Sequence, residues 1–235
     1  SEKSIADKVF KTYDMTGTPG LTAQIPVYPE IAAQERNETT DVTDTAFSVA
    51  STDVTAAEVQ ARVDISDLLN EGTVRNTASD VGQLIGGSIG EQVDTNAFAL
   101  FKEDTIRADG GTMVGTTGTA VTPTIILEAI YNLRNVTAPT DAQGDYRCVL
   151  APGQAYDIAR LLTTAGFSTS ANAMSNVGNE LLSSSAYVGR IYNCKVFSSN
   201  AIAADSVATD INGCVFSPSA FAHLIKRPLR IESQR

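Results

Sequence analysis

An α+β fold is predicted by three changes of hydrophobic rhythm along the 235 residues. Apolar and polar residues alternate through 47–65. Apolar residues then recur every three or four positions from 79 to 101, and short strand-like runs mixed with proline-opened helical stretches follow. Period two marks a half-buried strand and period 3.6 an amphipathic helix, so a β region, one long helix and a mixed region are expected in that order. A hydrophobic content of 43% with 17 Gly and 8 Pro can bury a core and excludes collagen-like or broadly disordered chains. At roughly 150 residues per domain, the length allows one large domain or two interleaved ones.

Residues 14–20, Asp-Met-Thr-Gly-Thr-Pro-Gly, carry turn chemistry between extended stretches at 9–13 and 21–28, which predicts a hairpin. Val59, Ala61, Val63 and Ile65 share one face while Gln60, Arg62 and Asp64 share the other, which predicts a strand. Residues 30–46 between them are polar and acidic. The segment 21–65 is therefore expected to be two long strands joined by a solvated loop, with no core of its own.

A helix over about 79–101 follows from Val81, Leu84, Ile85, Ile89, Val93, Ala97, Phe98 and Phe101, which form one apolar stripe. Thr77 and Asp80 have capping-box spacing, with Ser79 a competing cap. Gly82, Gly86, Gly87 and Gly90 each cost on the order of 1 kcal/mol of helix propensity, so another backbone is expected to approach that face closely. After a Gly/Thr linker at 109–120, Thr122 as cap and Pro123 at the first helical position open a helix through Ile126, Leu127, Ile130 and Leu133. Residues 147–150 read as a strand, and Pro152 opens a helix through Ile158, Leu161 and Leu162 that Gly166 stops. Residues 167–179 read as a polar loop, 189–197 and 213–216 as strands, 218–222 as a turn or short helix, and 229–232 as a last strand. The chain opens on Ser1 rather than Met and stops inside that strand, so both ends are expected to continue.

The charge is uneven. Acids outnumber bases 16 to 6 in residues 1–100 and balance at 11 to 11 beyond, so the net −10 arises in the first part. Glu35, Glu38, Asp41 and Asp44 lie at the centre of the acidic stretch, and Lys226, Arg227, Arg230 and Arg235 form a basic end. These acids are expected either to solubilise the surface or to meet a basic patch on a neighbouring subunit. The sign argues against nucleic acid as a tightly held partner, since phosphate binding needs clustered Lys and Arg. No apolar run reaches the ~18 residues that span a bilayer, and no basic-then-apolar leader opens the chain. Asn37-Glu38-Thr39 and Asn135-Val136-Thr137 are read as chance matches to the glycosylation pattern.

Cys148, Cys194 and Cys214 are an odd count at wide spacing, which suits reduced, buried thiols better than disulfides or zinc. Gly86-Gly87-Ser88-Ile89-Gly90 fits G-x-S-x-G, and Asp205 or Asp210 followed by His223 would complete hydrolase order. A nucleophile elbow needs a strand just before the serine, whereas the helical stripe runs through it. A Ser88 hydrolase is therefore the minor alternative. His223, the only histidine, is expected to be structural, and Asp64 and Asp67 have no placed acid–base partner. No cofactor or metal site is expected.

The order of elements, with Gly90-Glu91-Gln92-Val93-Asp94 in the long helix, Val149-Leu150-Ala151-Pro152, residues 188–197 with Ser199-Asn200, and residues 216–222 running into 228–232, resembles the major capsid protein of tailed bacteriophages, the Hong Kong 97-type shell fold. The resemblance covers nearly the whole chain. It implies an N-terminal arm at 1–20, an extended acidic loop at 21–71, a peripheral domain at 72–121 with its spine helix at 79–101, an axial domain at 122–215 and a return strand at 216–235.

It further implies a structural subunit, not an enzyme, that self-assembles through pentamers and hexamers into an icosahedral shell in the host cytoplasm. The virion shell would enclose double-stranded DNA, with cement, scaffolding or portal proteins as further partners and no membrane. An encapsulin-type compartment is the alternative on the same fold. Inter-subunit contacts are expected from Glu35, Glu38, Asp41, Asp44, Lys226, Arg227 and Arg230. Some members of the family join an arm lysine to a neighbour's asparagine; here no Lys occurs between Lys11 and Lys102, so a non-covalent shell is expected.

Overall fold

The computed structural model describes residues 4–29, 31, 33, 35, 47–66, 77–101, 114–116, 118–164, 187–203, 211–230 and 232. In chain order the elements are α1 (Ala6–Val9), β1 (Lys11–Asp14), β2 (Thr22–Val27), β3 (Ala50–Thr55), α2 (Thr77–Phe98), α3 (Pro123–Asn135), β4 (Tyr146–Leu150), α4 (Pro152–Thr164), β5 (Tyr187–Ile191), β6 (Cys194–Ser198), β7 (Cys214–Phe216) and β8 (Ala222–Ile225). The mixture is α+β, as the periodicities predict. Two compact units divide the chain: residues 1–11, 59–223 and 231–235 form the larger, and residues 12–58 and 224–230 the smaller.

The larger unit is built on a four-stranded sheet of order β5-β6-β4-β7, in which β4 and β6 run parallel and the other pairs antiparallel. Strand alternation gives each face its own core. Tyr146, Cys148, Leu150, Cys194, Val196 and Ile191 point to one side and pack with Ile126 and Ile130 of α3 and Ile158 of α4. Val149, Cys214 and Phe216 point to the other and pack with Ile5, Val9, Phe10, Phe98, Phe101 and Ile202. This second core is dominated by aromatic rings: Phe10 meets Phe98, Phe101, Phe216 and Phe221 at centroid distances of 6.0, 6.2, 5.7 and 5.0 Å.

The start of α3 follows its sequence signals, for the Thr122 hydroxyl accepts the Ile125 N–H at 3.4 Å and Pro123 occupies the first turn. The long helix begins at Thr77, two residues before the expected start, and gives way to a turn after Phe98. Of the glycines on its face, Gly90 lies against the Ser4 backbone, where an added Cβ would stand 3.7 Å from the nitrogen, an ordinary van der Waals distance that does not itself require glycine. One turn on, the Asp94 carboxylate accepts the Ser4 hydroxyl and the Ile5 and Ala6 N–H groups, at 2.8 to 3.1 Å. These donors sit at the start of α1, whose N-cap Ile5 has no capping side chain, so α2 supplies the cap from across the chain.

Several strand expectations are corrected. The hairpin expected across 9–28 does not form: β1 pairs with β8 rather than β2, with the Lys11 N–H donating to the Phe221 carbonyl and the Met15 N–H to the Ile225 carbonyl. β2 pairs instead with β3, in a register running from Thr22 opposite Thr55 to Val27 opposite Ala50. The alternating stretch 59–65 is not a strand, for its backbone joins no sheet. The single strand expected over 189–197 is two, folded back at Tyr192 and Asn193, whose φ values of 49° and 62° make the tight turn. The strand expected at 229–232 is absent among the described residues of that segment; the last described strand is β8, and the turn expected at 218–222 is present at 218–220, just before it. The Gly166 helix stop and the polar loop 167–179 lie outside the described residues.

Candidate interaction surface

The smaller unit contains the antiparallel ribbon of β2 and β3 and has no buried described residue. On β2 only Ala23 and Ile25 are partly covered, and on β3 only Val54. Leu21, Val27, Tyr28, Ile31, Phe47 and Val49 are each about half exposed or more, and they gather at the strand ends. Tyr28 and Phe47 lie one residue and three residues beyond the paired strands, and their rings stack at 6.3 Å with planes 16° apart. A two-stranded ribbon has too little buried area to hold itself in water, and clustered exposed apolar groups mark a surface that meets a partner.

Of the charged residues expected at subunit contacts, Glu35 is exposed, whereas Glu38, Asp41 and Asp44 lie outside the described residues. Arg227 and Arg230 are exposed on the segment after β8. Lys226 is half-buried, and its ammonium donates to the Met15 carbonyl at 3.4 Å and to the Thr18 carbonyl, closing the turn after β1 within the same unit. The stacked Tyr28–Phe47 pair was not anticipated from the sequence. Its signal was present as an aromatic residue flanking each end of the acidic stretch.

Among the described residues, those weighed for catalysis do not form a site. Ser88 is an exposed residue in mid-helix on α2, with no strand leading into it. His223 Nδ1 lies 2.7 Å from Asp7 Oδ1, outside hydrogen-bond geometry. Asp64 is exposed beside Arg62 at 3.1 Å, and Asp67, Asp205 and Asp210 lie outside the described residues. Cys148, Cys194 and Cys214 are free and buried. The Cys148 thiol is pushed up by its hydrogen bond with Cys194 and by burial, and Cys214 is pushed up to about 12 by burial. The Cys148 and Cys214 thiols stay protonated and inert. Among the described residues, no group of three or more His, Cys, Asp or Glu is placed to hold a metal, and no helix is long and apolar enough to cross a membrane.

One polar cluster the sequence reading missed joins the turn before β4 to β5 and β6. Lys195 lies 2.8 Å from Asp141 and 3.7 Å from Asp145, and Arg190 lies 2.5 Å from Asp145. The Lys195 ammonium is the main cause that draws Asp141 down from 3.8 to about 2, helped by the Asp145 and Gln143 N–H groups against an opposing effect of burial. Because the folded value is the lower one, the ionised carboxylate favours the fold. This contribution is complete above about pH 5 and is lost as pH falls through roughly 4 to 2. Asp141→Asn is expected to flatten the fall in stability across that window and leave the slope above pH 5 unchanged, as read from denaturant midpoints at a series of pH values.

No protein-family model and no curated protein matches the chain. Solved structures do. The capsid of Ralstonia phage GP4 superposes with a TM-score of 0.71 at 12% identity, covering 100% of this chain and 81% of that one. The capsid of cyanophage P-SCSP1u gives 0.62 at 16% identity over 93% and 73% of the two chains. The chain has a phage-capsid fold. The mature capsid of bacteriophage PhiM1 carries the same fold, with a TM-score of 0.61 at 13% identity over 97% of this chain and 76% of that one. Within the capsid fold as this chain builds it, the ribbon of β2 and β3 buries none of its described residues.

Proposed function

We propose that this chain is the major capsid protein of a tailed bacteriophage, a structural subunit of the Hong Kong 97 type. It assembles with copies of itself, through pentamers and hexamers, into the icosahedral shell of the virion. The observation that carries the reading is the ribbon of β2 and β3, which buries no described residue and exposes Tyr28, Phe47 and their apolar neighbours. Such a ribbon is stable once a neighbouring subunit covers it. In this reading residues 1–20 are an N-terminal arm, 21–71 the extended loop, 72–121 the peripheral domain, 122–215 the axial domain and 216–235 the return segment.

The net charge of −10 suits a container for double-stranded DNA rather than a protein that grips it, because an acidic lining does not hold phosphate. With no lysine between Lys11 and Lys102, the extended loop has no amine to donate, and the shell is held by non-covalent contacts. Assembly takes place in the host cytoplasm, with cement, scaffolding and portal proteins as companions. Between copies, the acidic loop with Glu35, Glu38, Asp41 and Asp44 faces the exposed Arg227 and Arg230, with Lys226 beside them. This complementarity sets register more than raw affinity.

Sedimentation velocity of the purified chain tests the reading: most of the protein is expected in particles far heavier than the 24.8 kDa chain. Reversing Arg227 and Arg230 to Glu is expected to cut the particle fraction at least tenfold while leaving the melting of the free chain within about 2 °C. Exposed charges remote from the core contribute little to folding. An undiminished particle yield from the double variant would remove the basic end from the contact.

A further inference from the structure

We infer that the ammonium of Lys195 is the resident cation of an oxygen cage formed by the turn at 141–145, so that this turn is closed by the chain's own side chain rather than by a metal ion. Asp141, Gln143 and Asp145 carry oxygen-bearing side chains at alternate positions, and Gly144 beside them has φ 78°. Calcium loops use the same alternation, converging side-chain oxygens from positions 1, 3 and 5 on one ion.

Here the oxygens converge on Lys195 Nζ, at 2.8 Å from Asp141 Oδ2, 2.5 Å from Gln143 Oε1 and 3.7 Å from Asp145 Oδ2. The turn is pre-formed around this centre. Asp141 Oδ1 accepts the Gln143 and Asp145 N–H groups at 2.9 and 2.8 Å, and the Gly144 N–H donates to the Asp141 carbonyl.

Asp145 supplies an independent sign that a cation is required. Its side chain is 2% exposed, and Oδ1 accepts no hydrogen bond although Arg190 Nη2 stands 2.5 Å away. A buried carboxylate oxygen held by charge rather than by a hydrogen bond is costly unless cations stay in place. The sheet register supplies them: Arg147, Lys195 and Arg190 lie side by side on β4, β6 and β5. Three like charges in a row repel. Arg147 turns away to the Val9 carbonyl, and Asp141 and Asp145 neutralise the other two. The cage thereby locks the entry to β4 against β6.

The test removes the built-in cation and offers another. Lys195→Ala in the full chain is expected to melt below the wild type and to recover by about 5–10 °C when calcium is a hundredfold above its Kd. Wild-type melting is expected to be indifferent to both calcium and a chelator, and Asp141→Asn combined with Lys195→Ala is expected to lose the response. Where Lys195→Ala does not fold alone, its refolding yield with and without calcium is the readout, and Lys195→Met, which keeps the length of the stem without a donor, is read in the same way. Variants that lose stability but ignore calcium would reduce the cluster to ordinary ion pairs and overturn the inference, as would a wild type stabilised by calcium to the same extent. Read on the dissociated chain, both are independent of assembly, so failure here leaves the shell reading untouched.

Discussion

Replacing Asp94 by Ala is expected to destabilise the chain by about 3 kcal/mol and to free residues 4–10 from α2. Asp94 is 3% exposed, and its two oxygens accept from the Ser4 hydroxyl and from the Ile5 and Ala6 N–H groups. Removing the carboxylate leaves those backbone donors buried with nothing to bond, and each such donor costs roughly 1–3 kcal/mol. Asp94→Asn keeps one accepting oxygen but sets its amide hydrogens against the backbone donors, so about 2 kcal/mol is expected. Ser4→Ala removes one donor and is expected to cost about 1 kcal/mol. Denaturant titration of the dissociated chain gives all three values, and early proteolytic cleavage within residues 4–10 reports the release directly. An Asp94→Ala chain within 0.5 kcal/mol of the wild type would show that α1 is held by its apolar contacts alone.

Phe10→Ala is expected to cost about 4 kcal/mol, the largest effect of any single change considered. The side chain is 4% exposed and lies at the centre of Phe98, Phe101, Phe216 and Phe221, with edge-on contacts to three and a stacked one to Phe221. Truncation removes the transfer energy of the ring, leaves a cavity among rigid neighbours, and forfeits aromatic geometry worth roughly 0.5–1.5 kcal/mol per pair. Phe10→Leu fills most of that volume and is expected to cost about 1.5 kcal/mol. The pair separates volume from ring geometry, and the same titration reads both. Equal losses from Leu and Ala would mean that the ring contacts, not the filled space, hold this core.

Local signals in the sequence proved sound where one residue type settles the matter. Thr122 followed by Pro123 starts α3, Pro152 starts α4, and the stripe from Val81 to Phe98 lies on α2, because caps, proline and helical periodicity act within a few residues. Strand pairing was harder to read. Alternation states that a segment has two unlike faces but not where its pairing stops or which strand lies beside it, so β2 was joined to 9–13 as well as to a strand over 47–65, of which the structure pairs only β3 with it. The turn between β5 and β6 was hidden because Tyr192 occupies a positive-φ position where Asn or Gly is usual, so the apolar pattern ran on through it.

Interaction residues were only partly legible. Charge runs stand out in a sequence, which is why Glu35, Arg227 and Arg230 were picked and are exposed. The stacking of Tyr28 on Phe47 and the convergence of Asp141, Asp145 and Arg190 on β6 depend on a register that no local pattern records. Lys226 shows the converse: it belongs to the basic run, yet its ammonium is engaged by the Met15 and Thr18 carbonyls.

Cryo-electron microscopy of the purified chain tests the central claim most directly. Closed icosahedral shells, or rings of five and six subunits, are expected, with density from a neighbouring copy covering Tyr28 and Phe47. A uniform population of monomers, or shells in which that ribbon projects uncovered into solvent, would contradict the account.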